Sequence, residues 1–335
     1  MAAIARIEVI GAGAWGTALA ALAAERGHET VLWALEPEVA VEVNEKRTNT
    51  PYLPGVTLPD RIAATAEIAE MGRGDAVLLV TPAQHLREVA GRLAPRLAPG
   101  MPLVVCAKGI EERTGLLLSE VLAEVAPEAP RAVLSGPTLA GEVARGMPAA
   151  VTIAAEDASM AAALVSALGS TRFRPYAGDD PVGCQIGGAV KNVMAIACGI
   201  VAGLGLGENA RAALMTRGLA EMTRLAIAKG GKLETLMGLS GIGDLALTCA
   251  AEASRNYSLG LAVGRGKSAA EVLAGRRSVA EGATTAGAVR RLAASLGVEM
   301  PIAAAVNRVV QEGADIPAMI EELMARPFKR EAVGR

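Results

Sequence analysis

Residues 4–20 read IARIEVIGAGAWGTALA, and the fold turns on them. Ile4 to Ile10 has the apolar composition of a buried strand. Gly11-Ala-Gly13-Ala14-Trp15-Gly16 then matches G-x-G-x-x-G, and Ala14 to Arg26 reads as a helix with small residues on one face, stopped by Gly27. The first glycine makes the tight turn, the second lets backbone N–H groups approach a pyrophosphate, and the third lets helix pack closely on strand. The helix N-terminus faces the phosphates. Alone, the motif is a weak signal. Between a strand and a helix at the head of an alternating pattern, it reads as a dinucleotide cradle formed by Gly11, Gly13, Ala14, Trp15 and Gly16. Trp15 either covers the cofactor or packs under the loop.

Beyond this loop, short apolar runs alternate with helical patterns. Glu29 to Ala34 reads as a second strand. Asn49 to Asp60 is polar and Pro-containing, the mark of a surface loop. Ala76 to Val80, Leu103 to Cys106 and Ala132 to Leu134 are apolar runs, each followed by a turn, as buried parallel strands are. Ala149 to Ala154 and Arg172 to Tyr176 continue the series. After Gly178 the strand signals stop, and Thr284 to Leu296, Pro301 to Gln311 and Ile316 to Met324 show helical spacing. The expected fold class is α/β: a Rossmann-like doubly wound sheet over residues 1–178 and an all-α domain over 179–335.

Composition narrows the function. The chain has 335 residues, 52% of them hydrophobic, which argues against disorder and for about two domains. A net charge of −2, with both signs interspersed, argues against a nucleic-acid footprint. Cys106, Cys184, Cys198 and Cys249 are widely spaced, and with two histidines they form no standard zinc pattern, so no metal site is expected. Reduced core cysteines suit a cytoplasmic protein. The N-terminus reads directly into the glycine loop, without a signal-peptide pattern. The apolar stretch Asn192 to Gly207 is too short to span a bilayer, so no membrane span is expected.

A ribose-binding acid is expected near the end of the second strand. Glu36 is the available one, although Glu36-Pro37-Glu38 is equally a helix start, and no arginine is present there. NAD and NADP both remain open. His28 sits in a turn, and His85 has no nearby carboxylate to orient it, so lysine is the better proton carrier. Lys191 follows Gly187-Gly188 and in a helix leans back over them. Those glycines either leave room for a small substrate or serve close helix packing. Asp244 and Thr248 share a face if their segment is helical, with Asp244 tuning a lysine or merely capping. Ser254-Arg255-Asn256 opens a helix, either as a seat for a phosphate monoester or as an ordinary capped surface helix. Lys108 and Ser135-Gly136-Pro137-Thr138 follow strands, at the edge where doubly wound sheets bind ligands.

The ordered motifs GAGAWGTALA, AKGIE, LSGPT, GGAVKNV, ENARAALMTRGLAEM, SGIGDLALTC, SRN and VAEG make the chain resemble the bacterial NAD(P)-dependent glycerol-3-phosphate dehydrogenases up to about Met300-Pro301. The resemblance implies reduction of dihydroxyacetone phosphate to sn-glycerol 3-phosphate, feeding glycerophospholipid synthesis, with NAD or NADP as cofactor. It implies a catalytic Lys191, joined by Lys108 and Asp244. It implies a substrate site of Lys108, Gly136, Thr138, Lys191, Asp244, Thr248, Ser254, Arg255 and Asn256. Cofactor contacts would come from the loop around Trp15 and from Lys108, Ala140, Arg255, Val279 and Glu281. Many members carry a basic residue where Leu35 stands. A homodimer is compatible with this reading. Two other readings stay open: a β-hydroxyacid-type reductase acting on a carboxylate, and a non-catalytic nicotinamide sensor.

Overall fold

The computed structural model describes residues 4–275 and 280–328; the expected cofactor contact Val279 lies outside them. The chain divides into two compact units, residues 1–107 with 118–181, and residues 108–117 with 182–335.

The first unit is built on one eight-stranded sheet: β1 Arg6–Ile10, β2 Glu29–Trp33, β3 Ile62–Thr65, β4 Ala76–Leu79, β5 Leu103–Val105, β6 Arg131–Ser135, β7 Ala149–Ala155 and β8 Phe173–Gly178. The order is β3-β2-β1-β4-β5-β6-β7-β8. Strands β1 to β6 run parallel, β7 pairs antiparallel to β6, and β8 is parallel to β7. The central strands are apolar on both faces because helices cover both, so Val9, Leu78 and Val104 are fully buried. The parallel run places the carboxyl ends of β1, β2, β4, β5 and β6 along one edge. The order reverses between β1 and β4, which is where such sheets bind nucleotides.

The expected surface loop over 49–60 is irregular but not superficial. Asn49 is fully buried, and Leu53, Val56 and Leu58 are nearly so, in the sheet's core. Its apolar residues lack regular periodicity, and so they do not announce their burial. The short strand β3 that follows had no distinct pattern either.

In the second unit every regular element is a helix among the described residues. The longest is Pro181–Gly203, at 23 residues. It is therefore long and apolar enough to cross a membrane, contrary to the length expected from the stretch after Asn192. Burial is the better discriminator: 83% of its most apolar window is buried inside the protein. It packs around Ala189, Val193, Met194 and Ile196 against the helices Gly207–Ala228, Asp244–Ala250, Arg255–Gly264 and Glu281–Ser295. Residues 108–117, which follow β5 in sequence, belong to this unit because Ile110 and Leu117 are fully buried in its core. Their charged, turn-rich composition marks an end to the strand, but no local pattern in it assigns them to the helical unit.

Candidate active site

In the first unit, the glycine loop joins β1 to helix Ala14–Glu25. Gly11 has φ +115° and donates its N–H to Trp33 O at 3.0 Å. A Cβ on Gly16 would fall 1.8 Å from Gly11 O, so only glycine lets the helix start so close to the strand. A Cβ on Gly13, in contrast, meets nothing within 4 Å. The helix has no side-chain cap at Gly13, so its first amides are left for an anion. That open, uncapped turn fits the pyrophosphate of a dinucleotide. Ala12 O is fixed from behind by Thr17 Oγ1 at 3.2 Å and Asn49 Nδ2 at 2.8 Å. Trp15 packs on the unit's core, with its indole N–H buried and without a partner among the described residues.

Gly136 and Thr138 follow β6 at the same carboxyl edge, with Thr138 Oγ1 donating to Gly136 O at 3.3 Å. Ala140 opens helix Ala140–Ala144, which packs on Ala14–Glu25.

The second unit gathers the lysines. Asp244, completely buried, begins helix Asp244–Ala250 after a π-helical turn over Leu239–Gly243. Its Oδ2 accepts from Lys108 Nζ at 2.6 Å, and its Oδ1 accepts from Lys191 Nζ. Lys191 Nζ also donates to Thr248 Oγ1 at 2.8 Å, and Thr248 Oγ1 donates to Asp244 O at 2.6 Å, one turn back. One carboxylate thus holds two ammonium groups, and the i, i+4 hydroxyl aims one of them. Asp244 is not a cap: its side chain is committed to the lysines. Burial pushes the Lys191 ammonium down to about 8; the Asp244 charge opposes this, and the Lys108 charge adds to it. With Asp244 and Thr248 holding two of its three N–H bonds, the third is left for a ligand oxygen.

Gly187 resolves toward packing. A Cβ there would sit 2.1 Å from Ser240 O, so its absence lets the Leu239–Gly243 turn press onto helix Pro181–Gly203 and bring Asp244 within reach of Lys191. Gly187→Ala is expected to cost about 1–3 kcal/mol, the usual penalty of overpacking. Because the turn must shift, turnover should fall too. Urea unfolding and steady-state rates on the same preparation check both, and native values for either would remove this role from Gly187.

Ser254 caps helix Arg255–Gly264, accepting from Tyr257 N at 3.2 Å, and Arg255 is exposed at the first helical position. Asn256 is more committed than expected. Its Oδ1 accepts from Gly282 N at 2.9 Å, and its Nδ2 donates to Asn192 Oδ1 at 2.9 Å. A backbone N–H can only donate, so Gly282 fixes which amide atom is oxygen, and one Nδ2–H remains for a ligand. Asn256 thereby satisfies the start of helix Glu281–Ser295, whose own N-cap, Ala280, offers no side-chain bond, and places Glu281 at that helix's first turn. Asn192 is the contributor that sequence reasoning missed, and the clue was its adjacency to Lys191 in GGAVKNV.

Two family models cover nearly the whole chain. One described as the NAD-dependent glycerol-3-phosphate dehydrogenase N-terminus matches residues 6–161, and its C-terminal counterpart matches 180–321. A relative from Parvibaculum lavamentivorans, named glycerol-3-phosphate dehydrogenase [NAD(P)+], is 56% identical over 97% of this chain and 98% of its own. One of the same name from Rhodospirillum rubrum is 56% identical over 97% and 93%. The crystal structure of glycerol-3-phosphate dehydrogenase from Coxiella burnetii superimposes with a TM-score of 0.92 at 39% identity, covering 96% of this chain and 99% of that one.

Proposed function

The chain belongs to the NAD-dependent glycerol-3-phosphate dehydrogenase family, and on that premise we propose that its reduction of dihydroxyacetone phosphate uses Lys191 as proton donor. The observation that carries this reading is the buried Asp244 carboxylate with Lys108 on one oxygen and Lys191 on the other. Such a cluster concentrates positive charge where a carbonyl becomes an alkoxide, in a site that excludes water.

The bound nicotinamide supplies the hydride that reduces C2. Lys191 donates its proton to the C2 oxygen as negative charge develops there, and in the reverse direction takes it back. A lysine near 8 is still protonated at neutral pH, yet loses its proton far more readily than a solvated one. Lys108 adds a second positive charge at the same carboxylate, and Thr248 holds the Lys191 head in one orientation. The substrate phosphate is assigned to Arg255, the remaining Asn256 N–H and the amides of the Ser254-capped helix. Fixing the phosphate, remote from the reacting carbon, orients the carbonyl. The glycine loop and Glu281 are assigned to the cofactor. Four free, buried cysteines suit the reducing cytoplasm, where the product would enter glycerophospholipid synthesis.

Loss of reduced-nicotinamide absorbance with dihydroxyacetone phosphate tests the reaction. Folded protein that binds the cofactor but consumes none would refute it. Arg255→Ala should raise the KM for dihydroxyacetone phosphate by about 10- to 100-fold, the loss of a charge-assisted hydrogen bond. Turnover of phosphate-free dihydroxyacetone, measured beside it, should not change, because that substrate carries no phosphate for the arginine to hold. An unchanged KM would move the phosphate seat elsewhere.

A further inference from the structure

Strand β2 ends at Trp33, and Ala34, Leu35 and Glu36 follow before helix Pro37–Lys46 begins. Both readings of Glu36, ribose acid and helix start, find support in different atoms of the same residue. Its backbone carbonyl starts the helix, accepting from Val39 N at 3.1 Å, but its side chain makes no cap bond. Instead Oε1 accepts the Tyr52 hydroxyl at 2.7 Å, and Oε2 has no partner among the described residues. The carboxylate is therefore aimed from outside its own helix, with one oxygen left over.

Tyr52 is well placed to do the aiming. It packs on the core beside the buried Leu53, in the loop that Asn49 ties to the nucleotide cradle through Ala12 O and Thr17 Oγ1, both at 2.8 Å. One irregular segment therefore fixes both the glycine loop and the Glu36 carboxylate. The hydrogen bond to Glu36 raises the Tyr52 phenol above its ordinary value, with burial and the charges of Glu36 and Glu38 acting in the same sense, so Tyr52 stays a donor. Leu35, 68% exposed, offers no charge, and no ion pair neutralises Glu36 among the described residues. Arg47, at the far end of helix Pro37–Lys46, is occupied with Ile62 O at 2.7 Å and with Asp60.

A carboxylate after the second strand of a doubly wound sheet accepts from the adenosine ribose hydroxyls, whereas a 2′-phosphate needs a cation there. We propose that Glu36, oriented by Tyr52, makes this chain select NADH over NADPH. Oε2 accepts the ribose 2′-hydroxyl of NADH. The 2′-phosphate of NADPH meets Glu36 and Glu38 with no compensating cation, a repulsive element as well as a missing attractive one. This selection rests on the dehydrogenase reading only in that the glycine loop holds a dinucleotide.

Equilibrium titration of the full-length protein tests it without turnover, using NADH and NADPH by nicotinamide fluorescence. Calorimetry with 5′-AMP and adenosine 2′,5′-bisphosphate isolates the 2′-phosphate. NADH should bind roughly tenfold or more tighter than NADPH, and the two adenosine ligands should rank the same way. Glu36→Gln should erase most of that ratio by tightening NADPH, and Tyr52→Phe should weaken NADH with a smaller gain for NADPH. Equal native affinities, or a ratio that Glu36→Gln leaves unmoved, would overturn the proposal. Binding of neither dinucleotide to the native protein would sink the cofactor reading and this selection with it, whereas tight binding without turnover would count only against the assigned reaction.

Discussion

Replacing Lys191 with alanine is expected to lower kcat for dihydroxyacetone phosphate reduction by about 10²- to 10⁴-fold, the usual worth of a positioned proton donor. Cofactor affinity should stay within about twofold, because the assigned proton step does not use the glycine loop. Lys191→Arg should fare little better: it keeps the charge but cannot release a proton. The native pH profile carries the same information. As the proposed acid in the reductive direction, Lys191 should make the reductive kcat fall as pH rises through about 8. As the proposed base in the oxidative direction, it should make the oxidative kcat rise through the same region. Stopped-flow measurement with a deuterated cofactor would show whether hydride transfer limits the rate under those conditions. A Lys191→Ala enzyme keeping a substantial share of native kcat, or a reductive profile flat across that range, would exclude Lys191 as donor.

Asp244→Asn should be the second most damaging change. The variant is nearly isosteric, yet it leaves two ammonium groups facing a neutral amide at a fully buried position. Removing one partner of a buried pair typically costs about 3–5 kcal/mol. The protein can escape part of that cost by discharging Lys191, whose pKa then falls further below its native value of about 8. Two consequences follow, with definite signs. The pH above which reduction fails should move to lower pH, making the neutral-pH enzyme nearly inactive. A lysine whose folded-state pKa is depressed destabilises the fold most where it must be protonated, so the deficit against the native protein should shrink as pH rises through the variant's lowered pKa and level off above the native value of about 8. Urea titrations at about pH 7 and about pH 9 would show this. A deficit independent of pH, together with an unmoved profile, would mean that Asp244 is only a packing residue.

The glycine loop was legible because its chemistry is local: strand, turn and helix are consecutive, and Gly16 answers to Gly11 only five residues before it. The strand–helix alternation and the amphipathic helices near the C-terminus were legible for the same reason, with Ile316–Met324 starting and ending where its spacing predicts. Legibility failed where burial arises without periodicity. The segment around Asn49 contains too many turn residues to read as core, yet its amide is what holds Ala12 O. Gly187 was ambiguous for a different reason. A glycine before a lysine is compatible with space for a ligand and with a neighbour too close for a methyl group, and only the carbonyl of Ser240 decides between them.

Local sequence specifies which elements form and which groups are available for chemistry: a dinucleotide loop at the head of an alternating sheet, lysines without a useful histidine, and a capped helix opening with arginine. These follow from periodicity, turn chemistry and side-chain type, which act over a few residues. The partnerships come from long-range packing. Asp244 lies 53 residues from Lys191 and 136 from Lys108, and Tyr52 lies 16 from Glu36. No local propensity encodes such pairings. The two lysine pairings exist because a methyl-free approach at Gly187 and the packing of residues 108–117 with the helical unit bring two ammonium groups onto one buried carboxylate, whose charge could not be buried without them.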